Sequence, residues 1–509
     1  MNKKILLIYP ESGPYGFVFK DLPLSLLHLS SVCVKEGYAV KILDQRIITK
    51  KDWIKKLYFE LDNKPLFAGI SVMSGYPIKY ALDITKTIKN YSHGIKVTWG
   101  GIHPSILPEQ TLANTNIDFV VRKCGETALI ELSEYLNGLR NIESVKGLSY
   151  KSNGKYMHNE DSPPLNLNAI PEIPYNLVNV DDYYRIGLKE KTFSLLTSRY
   201  CPHECSFCYS PIYGERKWVS QTPEKIFQKI KFAVENFKPS NITFIDDDFF
   251  VNLQNVKILF EKIIEIKNNE DSGLWKKLTF NFRGVRVDEL DKMDDSFFNL
   301  LTNIGGKYLH IGAESGSDRI LSLMKKKIKA EQTLAINRKL RKYDKLIPSY
   351  NFFSGIPTET YEELLASGNL VLQLVKENPR AQIVGFAQYT PWPGTELYYL
   401  GIKHGFREPQ SLEEWSEIDD AENAAKLPWL SKKFIRKIEL MYFASFFIDN
   451  KIKNMFDKKN FFGAIFYIFS IIYKPIAKFR FSAKTNFLPI ESILYKSAIR
   501  FWKLFIGIR

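Results

Sequence analysis

Cysteine and histidine are both scarce in this chain of 509 residues, which contains 5 cysteines and 7 histidines. So few cysteines argue against a disulfide framework and favour a reducing cytoplasm as the location. Long hydrophobic stretches are also missing. The apolar run at residues 461–473 has only 13 residues, whereas a membrane-spanning helix needs about 20. The short apolar run near the N-terminus predicts the first strand of a sheet rather than a signal peptide.

Acidic residues are outnumbered, because 56 Asp and Glu face 71 Lys and Arg and leave a net charge of +15. Most of the excess lies in residues 432–509, where 16 basic and 4 acidic residues give +12, so the rest of the chain carries about +3. Such an asymmetry indicates a nucleic-acid or membrane surface. The continuous apolar run at 461–473, followed by Lys474 and Lys478, favours an anionic membrane and argues against nucleic acid. A helical cap with a basic outer face is the alternative.

Three of the cysteines lie close together, as Cys201, Cys205 and Cys208, in the spacing CxxxCxxC. Three thiolates on one loop can bind three irons of a [4Fe-4S] cluster and leave the fourth iron open. A zinc site usually takes four ligands in two pairs, and the chain has no second CxxC. His203 lies inside the loop but is badly placed to complete a tetrahedron. The spacing therefore favours an iron–sulfur cluster over a zinc site or a disulfide set.

The cysteine loop follows the strand-like run Phe193–Thr197, and the two together resemble the signature of radical S-adenosylmethionine (SAM) enzymes. In that family the open iron chelates the amino and carboxylate groups of SAM, and an electron from the cluster releases a 5′-deoxyadenosyl radical. The resemblance implies that the three cysteines are the metal ligands. It also implies that Phe207 and Tyr209 shield the cluster and touch the adenine.

Residues 191–400 repeat a strand–helix pattern six times, which fits the partial (β/α)6 barrel of that family. Catalytic groups in such barrels lie at the carboxyl ends of the strands. The predicted strands are Phe193–Thr197, Asn241–Asp246, Thr279–Phe282, Tyr308–Gly312, Ser349–Phe353 and Gln382–Gln388.

Several strand ends resemble the SAM-contact positions of the family. Glu314 and Ser315 are expected to meet the ribose hydroxyls or the methionyl amine, and Gly355 and Ile356 the adenine. Arg283 and Arg286 are candidates for the SAM carboxylate, with a surface role equally open. The adjacent carboxylates Asp246–Asp248 favour hydrogen bonding or a structural cap over a shared metal. Trp392, in a segment that resembles TPxPGT, is expected to line the substrate cavity or to plug the barrel.

Residues 1–145 alternate buried strands with helices, which predicts a Rossmann-like parallel sheet. This region resembles the cobalamin-binding domain that precedes many radical SAM domains, through Gly69–Gly75, Trp99–Ser105 and Asp118–Glu126. The DxHxxG motif is absent, which implies cobalamin without a protein histidine on cobalt; a domain that has lost the cofactor is the alternative. Cys124 is expected at a strand end near the cofactor. The residues proposed to bind cobalamin are Ser71, Gly100, Gly101, His103, Gly125 and Glu126.

The predicted domain order is a Rossmann-like domain at 1–145, a linker at 146–190, the barrel at 191–400 and a helical region at 401–509. The chain thereby resembles the cobalamin-dependent radical SAM family, which includes class B methylases and anaerobic magnesium-protoporphyrin IX monomethyl ester cyclases. The resemblance implies methylation of an unactivated carbon, with an electron donor such as flavodoxin or ferredoxin. The basic, apolar tail favours a lipid-like substrate. Cyclisation, oxidation or rearrangement without methyl transfer is one alternative, and a regulatory protein without turnover is another.

Overall fold

A computed structural model gives the fold of the chain. It describes residues 1–13, 20–163, 165–183, 191–269, 273–418, 427–451, 461–486 and 491. The helix predicted at Ile490–Phe505 lies outside these residues, apart from Glu491.

The first region forms a seven-stranded sheet in the order β2-β1-β3-β4-β5-β6-β7. Strands β1 to β5 are parallel and are connected by helices, as the buried apolar runs predicted. The strands are β1 (Lys4–Tyr9), β2 (Ala39–Asp44), β3 (Phe67–Ser71), β4 (Lys96–Gly100), β5 (Phe119–Val121), β6 (Leu148–Ser152) and β7 (Lys155–His158), and the helices are α1 (Leu24–Lys35), α2 (Lys50–Asp62), α3 (Tyr76–Tyr91), α4 (Ile102–Ile106), α5 (Pro108–Ala113) and α6 (Gly125–Leu136).

Strands β6 and β7 add an antiparallel hairpin to the edge of this sheet. They lie at the start of the segment that the sequence assigns to a linker, so the sheet extends past residue 145. The order β2-β1-β3 places a topological switch point between β1 and β3. Ligands of open α/β sheets bind beyond the carboxyl ends of the strands at such a point.

The second region is a six-stranded parallel sheet with consecutive strands side by side, in the order β15-β14-β13-β12-β11-β8. This confirms the predicted sequence of six strand–helix units. The strands are β8 (Thr192–Leu195), β11 (Asn241–Phe244), β12 (Thr279–Arg286), β13 (Gly306–Glu314), β14 (Ile347–Ser354) and β15 (Gln382–Gln388), with β9 (Ser198–Arg199) and β10 (Val219–Ser220) as a short hairpin, and the helices are α7 (Ser210–Tyr213), α8 (Pro223–Phe237), α9 (Leu253–Asn268), α10 (Leu274–Lys277), α11 (Val287–Asp291), α12 (Asp295–Asn303), α13 (Asp318–Leu323), α14 (Ala330–Leu340) and α15 (Tyr361–Glu377).

The described part of the C-terminal region is helical, as predicted, with α16 (Glu396–Lys403), α17 (Leu412–Ser416), α18 (Lys432–Ser445) and α19 (Phe461–Ser482). Helix α19 packs against α15 and α18. Buried Tyr473, Ala477 and Phe481 form its inner face. Among the helices that the structure describes, none combines the length and apolar character needed to cross a membrane.

Candidate active site

The cysteine loop is anchored to the barrel by the carboxylate of Asp246. This side chain lies beyond the end of β11, is fully buried, and accepts hydrogen bonds from the backbone N–H and the hydroxyl of Thr197, both at 2.9 Å. The backbone and hydroxyl of Ser198 donate to the same oxygen. Burial raises the pKa of Asp246 to about 6, although these donors oppose the shift. Asp246 is therefore a structural cap that fixes the strand end from which the cysteine loop departs.

The three cysteines line one cavity of about 410 Å³ at the carboxyl ends of the barrel strands. This volume falls within the range of small-molecule sites, about 300–1,000 Å³. Other residues predicted from separate strand ends converge on the same cavity, although they are far apart in the sequence. The lining comprises Cys201, Cys205, Phe207, Cys208, Asp247, Arg283, Gly284, Val285, Arg286, His310, Gly312, Glu314, Lys326, Asn351 and Val384.

A charged group made by Arg286, Glu314 and Lys326 occupies one wall of this cavity. Lys326 Nζ donates to Glu314 Oε1 at 2.7 Å, and both side chains are buried. Burial disfavours the charge of Lys326, but the Glu314 carboxylate and Cys205 together outweigh burial and raise the lysine pKa. Arg286 donates to the Lys326 carbonyl at 2.9 Å and to Cys205 Sγ at 3.3 Å. The wall therefore presents fixed cations and one carboxylate beside a cysteine ligand.

Lys326 is a site residue that sequence reasoning missed. It is the middle of Lys325-Lys326-Lys327, a run of like charges that ordinarily indicates a solvated turn. The backbone of Lys325 and Lys327 is left-handed, with φ of 53° and 58°. These two side chains are exposed, whereas the one between them is buried.

His203 interacts with carboxylates at the base of the cysteine loop. Its Nε2 lies 3.1 Å from Asp248 Oδ2 and 3.3 Å from Glu289 Oε1. Burial lowers the pKa of His203, but the bonds to both carboxylates outweigh burial and raise it overall. Cys201 lies close enough to His203 and Asp248 for the three side chains to face one metal ion. Asp248 and Glu289 fix the position of the His203 imidazole, and His203 in turn stabilises the cysteine loop in which it lies.

The neighbouring aspartates point in different directions, as expected for adjacent residues on an extended segment. Asp246 caps the loop, Asp247 lines the cavity and Asp248 faces His203. Gly284 makes this packing possible. Its φ is +62°, and a Cβ there would lie 2.3 Å from the Asp247 carbonyl oxygen.

Some predicted SAM contacts lie outside the lining of this cavity. The hydroxyl of Ser315 is buried and lies 3.1 Å from Ser367 on α15. Gly355 and Ile356 form a turn whose backbone N–H groups donate to the buried carboxylate of Glu359. Phe353 packs on the cavity residue Phe207, with 4.8 Å between ring centroids, so the turn adjoins the cavity through an aromatic pair.

The carboxyl edge of the first sheet contacts the cysteine loop through Tyr209. Its hydroxyl donates to Ser74 Oγ at 2.8 Å, and Ser74 Oγ lies 2.9 Å from His103 Nδ1. Burial lowers the pKa of His103 to about 3, so the ring that hydrogen-bonds to Ser74 is neutral. The Trp392 ring packs against that of Tyr209, with 5.8 Å between centroids. Tyr209, predicted to touch SAM, thus also links the two regions.

A second connection joins the start of α6 to the residues just before the cysteine loop. Arg199 forms a buried ion pair with Glu126, and Tyr200 OH lies 3.0 Å from Cys124 Sγ. Tyr200 itself has a left-handed backbone, with φ of 66°, immediately before Cys201. Of the positions that the sequence proposes for cobalamin, Glu126 therefore contacts the residues that immediately precede the cysteine loop.

The residues at the cysteine loop and at the edge of the first sheet are chemically suited to the cofactors that the sequence implies, an iron–sulfur cluster and cobalamin. Burial raises the pKa of the Cys201 thiol to about 12 and that of Cys208 to about 11, and coordination to a metal deprotonates such thiols. At the first sheet, Gly101 has φ of +104°, and a Cβ there would lie 2.7 Å from the Val72 carbonyl oxygen. His103 is fully buried, and its Nε2 has no hydrogen-bond partner in the described structure. A polar atom of this kind is what a bound polar ligand satisfies.

Two family profiles match the chain. That of the Radical SAM superfamily matches residues 195–371, and that of the B12 binding domain matches residues 19–133. The first contains all three cysteines and every residue of the cavity lining except Val384. The second contains Ser71, Gly100, Gly101, His103, Gly125 and Glu126. The expected cofactors, a [4Fe-4S] cluster, SAM and cobalamin, are confirmed at the level of these families.

The chain is similar to methyltransferases over most of its length. It is 29% identical to an uncharacterized methyltransferase of Pyrococcus horikoshii, over 90% of this chain and 96% of that protein. It is 24% identical to hopanoid C-3 methylase of Methylococcus capsulatus, over 78% and 72% respectively. Its fold matches OxsB, a cobalamin-dependent SAM radical enzyme solved with aqua-cobalamin bound, with a TM-score of 0.71 at 18% identity over 98% of this chain and 76% of that one.

Proposed function

Because the chain is a radical SAM enzyme with a B12-binding domain, we propose that it methylates an unactivated carbon of a hydrophobic, lipid-like substrate. One observation carries the proposal: the three cysteines and the charged wall share a cavity whose cysteine loop is hydrogen-bonded to the edge of the B12-binding sheet. When bound, the cluster and SAM supply a 5′-deoxyadenosyl radical, and cobalamin supplies the methyl group.

The residues of the cavity wall bind and orient SAM in this proposal. The Glu314 carboxylate accepts hydrogen bonds from a ribose hydroxyl or the methionyl amine. Lys326 and Arg283 attract the methionyl carboxylate. Arg286 donates to Asp288, to the Lys326 carbonyl and to Cys205, and this network fixes the wall before the substrate arrives. Preorganised charges of this kind need little rearrangement during the reaction.

Apolar residues of the same cavity protect the reacting centre. Phe207, Val285 and Val384 belong to the lining, and the centroid of the Phe207 ring lies 5.9 Å from Lys326 Nζ of the charged wall. Phe207 is held in place by Phe353. By excluding water, these side chains strengthen the electrostatic interactions within the site and protect a reactive radical from side reactions.

The lipid-like substrate is supported by the surface of α19. Five apolar side chains, at spacings of three and four residues, are exposed along one face of this helix. They are Ile465, Ile468, Ile472, Ile476 and Phe479. The opposite face, with Tyr473, Ala477 and Phe481, is buried in the protein. The residue after the helix is also held, because Lys437 Nζ donates to the Ala483 carbonyl at 2.6 Å. An exposed apolar stripe within a segment of net charge +12 is suited to binding at an anionic membrane surface. The hopanoid methylase relative, named for a lipid substrate, agrees with this class.

The test is an anaerobic assay of the reconstituted full-length enzyme with methyl-labelled SAM and lipid extracts of its host. We expect the label in the organic phase and 5′-deoxyadenosine in the aqueous phase in proportion to it. An inactive control carries Cys205→Ala. Release of 5′-deoxyadenosine with a changed lipid but no label would favour the cyclisation or oxidation alternative. Label transferred only to water-soluble acceptors would refute the lipid-like substrate.

A further inference from the structure

A surface groove of about 680 Å³ adjoins the cysteine loop at Ser206 and shares no lining residue with the SAM cavity. It is lined by Ser206, Arg319, Ser322, Leu323, Lys325, Glu396, Leu397, Tyr399, Leu400 and Lys403. Cys205 and Phe207, the neighbours of Ser206, line the SAM cavity instead. One residue of main chain therefore separates this groove from a cluster ligand.

Ser206 is firmly held between the two helices that form the groove. Its backbone N–H donates to the Met324 carbonyl at 3.0 Å, and its hydroxyl donates to the Leu323 carbonyl at 2.8 Å. The backbone N–H of Leu397 donates to the Ser206 carbonyl at 2.9 Å. This continuous hydrogen-bonded path runs from the end of α13 to the start of α16 through the cysteine loop.

The surface around the groove is basic. Arg319, Lys325 and Lys403 line it, and Lys327 and Arg216 extend it through their ion pairs with Glu204. Three carboxylates, those of Glu204, Glu363 and Glu396, partly neutralise these five cations. The left-handed backbone of Lys325 and Lys327 keeps these two side chains at the surface while Lys326 reaches into the SAM cavity.

An exposed aromatic side chain lies within this basic rim. Tyr399 is 55% exposed and lines the groove. Protein interfaces commonly place aromatic residues and arginine at such positions, with charged groups around them. Complementary charge mainly raises the rate of association, which is what a transient electron-transfer encounter requires.

We propose that this basic groove is the docking surface for a small acidic one-electron carrier protein of the flavodoxin or ferredoxin kind. The reduced centre of the carrier loses one electron and the cluster of the enzyme gains it, and no bond is formed or broken. The inference rests on the cluster of the proposed function. The groove is the surface from which an electron reaches Cys205 through Ser206 without crossing the SAM cavity.

The test is the rate at which reduced flavodoxin reduces the reconstituted full-length enzyme, followed by loss of cluster absorbance under anaerobic conditions. The variant carries Lys325→Glu and Lys403→Glu. Its matched control carries Lys55→Glu and Lys56→Glu, two exposed lysines of α2 in the other region. We expect the second-order rate constant to fall at least about tenfold in the groove variant, because electrostatic steering changes association rates by 10- to 1,000-fold. The control variant is expected to match the unmodified enzyme.

Dithionite, a small chemical reductant that needs no protein docking surface, distinguishes slow docking of flavodoxin from a defect in the cluster itself. We expect it to reduce the unmodified enzyme and both variants at the same rate. Raising the salt concentration is expected to slow flavodoxin with the unmodified enzyme and to leave the groove variant nearly unaffected. Equal flavodoxin rates in the two variants would overturn the proposal. So would a groove variant that is equally slow with dithionite, since the defect would then lie in the cluster. Failure of every form to take up a cluster would instead refute the proposed function.

Discussion

The hydroxyl of Ser74 links the B12-binding sheet to the cysteine loop through Tyr209 and His103. Ser74→Ala removes both hydrogen bonds and takes away the hydroxyl that the buried His103 Nδ1 contacts, which costs about 1–3 kcal/mol. We expect SAM cleavage to continue while methyl transfer falls at least about tenfold, because Tyr209 loses its anchor between the two cofactor regions. The measurement is the ratio of 5′-deoxyadenosine to methylated product.

Two matched variants make that experiment specific. Tyr209→Phe removes the hydrogen bond to Ser74 and keeps the one between Ser74 and His103, so it is expected to give an intermediate ratio. Ser133→Ala removes an equally buried hydroxyl that bonds a carbonyl within α6, so its product ratio is expected to stay normal. An unchanged ratio in Ser74→Ala would show that the bridge has no role in coupling the two regions.

The cysteines differ in a way that provides an internal control for cluster assembly. Cys201, Cys205 and Cys208 line the SAM cavity, whereas Cys33 is buried in α1 with a pKa raised to about 12 by burial. We expect about four irons and four sulfides per chain after reconstitution of the unmodified protein. Replacing the three cavity cysteines with Ala is expected to abolish this content, and Cys33→Ala to preserve it. A triple variant that kept a full cluster and cleaved SAM would contradict the assignment.

The turn that follows β14 depends on one buried carboxylate. Glu359 accepts hydrogen bonds from the Ser354 hydroxyl and from the backbone N–H groups of Gly355 and Ile356. Burial nevertheless raises the pKa of Glu359 to about 7. Between pH 4.5 and about 7 the folded state therefore keeps a proton that the unfolded state has lost, so this group makes stability fall as the pH rises.

Comparison with Glu359→Gln tests this dependence. The amide cannot ionise, so we expect the decline in melting temperature between pH 5 and pH 8 to be smaller in the variant than in the unmodified protein. The difference in unfolding free energy across this range is expected to be about 3 kcal/mol, from about 1.4 kcal/mol per pKa unit. Identical pH profiles for the two proteins would indicate that the pKa of Glu359 is not raised by folding.

The elements themselves were largely predictable from the sequence. The parallel strands appear within one or two residues at most ends, because each is a buried apolar run between amphipathic helices. The sequence predicts a linker at 146–190 because this segment is rich in Pro, Asn, Asp and Tyr, and the hairpin β6–β7 lies at its start. Its place at the sheet edge depends on pairing with β5, which its own sequence pattern does not encode.

The candidate site was predictable only where a motif fixed the chemistry. The CxxxCxxC spacing located the metal ligands, and strand ends located Glu314 and the arginines. Lys326 was missed because its inward direction arises from the left-handed backbone of Lys325 and Lys327. The bridge through Ser74 was also missed, since it joins residues 135 positions apart and no local pattern reports such a contact.

At the scale of the whole molecule, the active-site cavity and the proposed membrane-binding surface lie on different parts of the chain. The barrel and the B12-binding sheet carry the residues assigned to chemistry, and α19 carries the exposed apolar stripe. Helix α19 is fastened to the barrel by α15, α18 and the buried ring pair of Phe386 and Phe481. A membrane bound at the stripe would therefore hold the whole enzyme near its lipid-like substrate, while changes at the stripe leave the chemistry intact.

This separation predicts a selective loss of membrane binding. The variant carries Ile468→Glu and Ile472→Glu, two residues that are 56% and 66% exposed on α19. Each removes an apolar side chain worth up to about 1.5–3 kcal/mol when fully buried and adds a negative charge near anionic lipid. We expect binding of the full-length protein to acidic vesicles, measured by co-sedimentation at low salt, to fall at least about tenfold, with cluster content and SAM cleavage unchanged.

The control is Ile54→Glu, at an exposed position on α2, which is expected to bind normally. High salt should weaken binding of the unmodified protein without abolishing it, because the apolar contribution persists. If the unmodified protein prefers buffer to acidic vesicles, α19 is only a cap of the barrel, and the lipid-like substrate loses its main structural support.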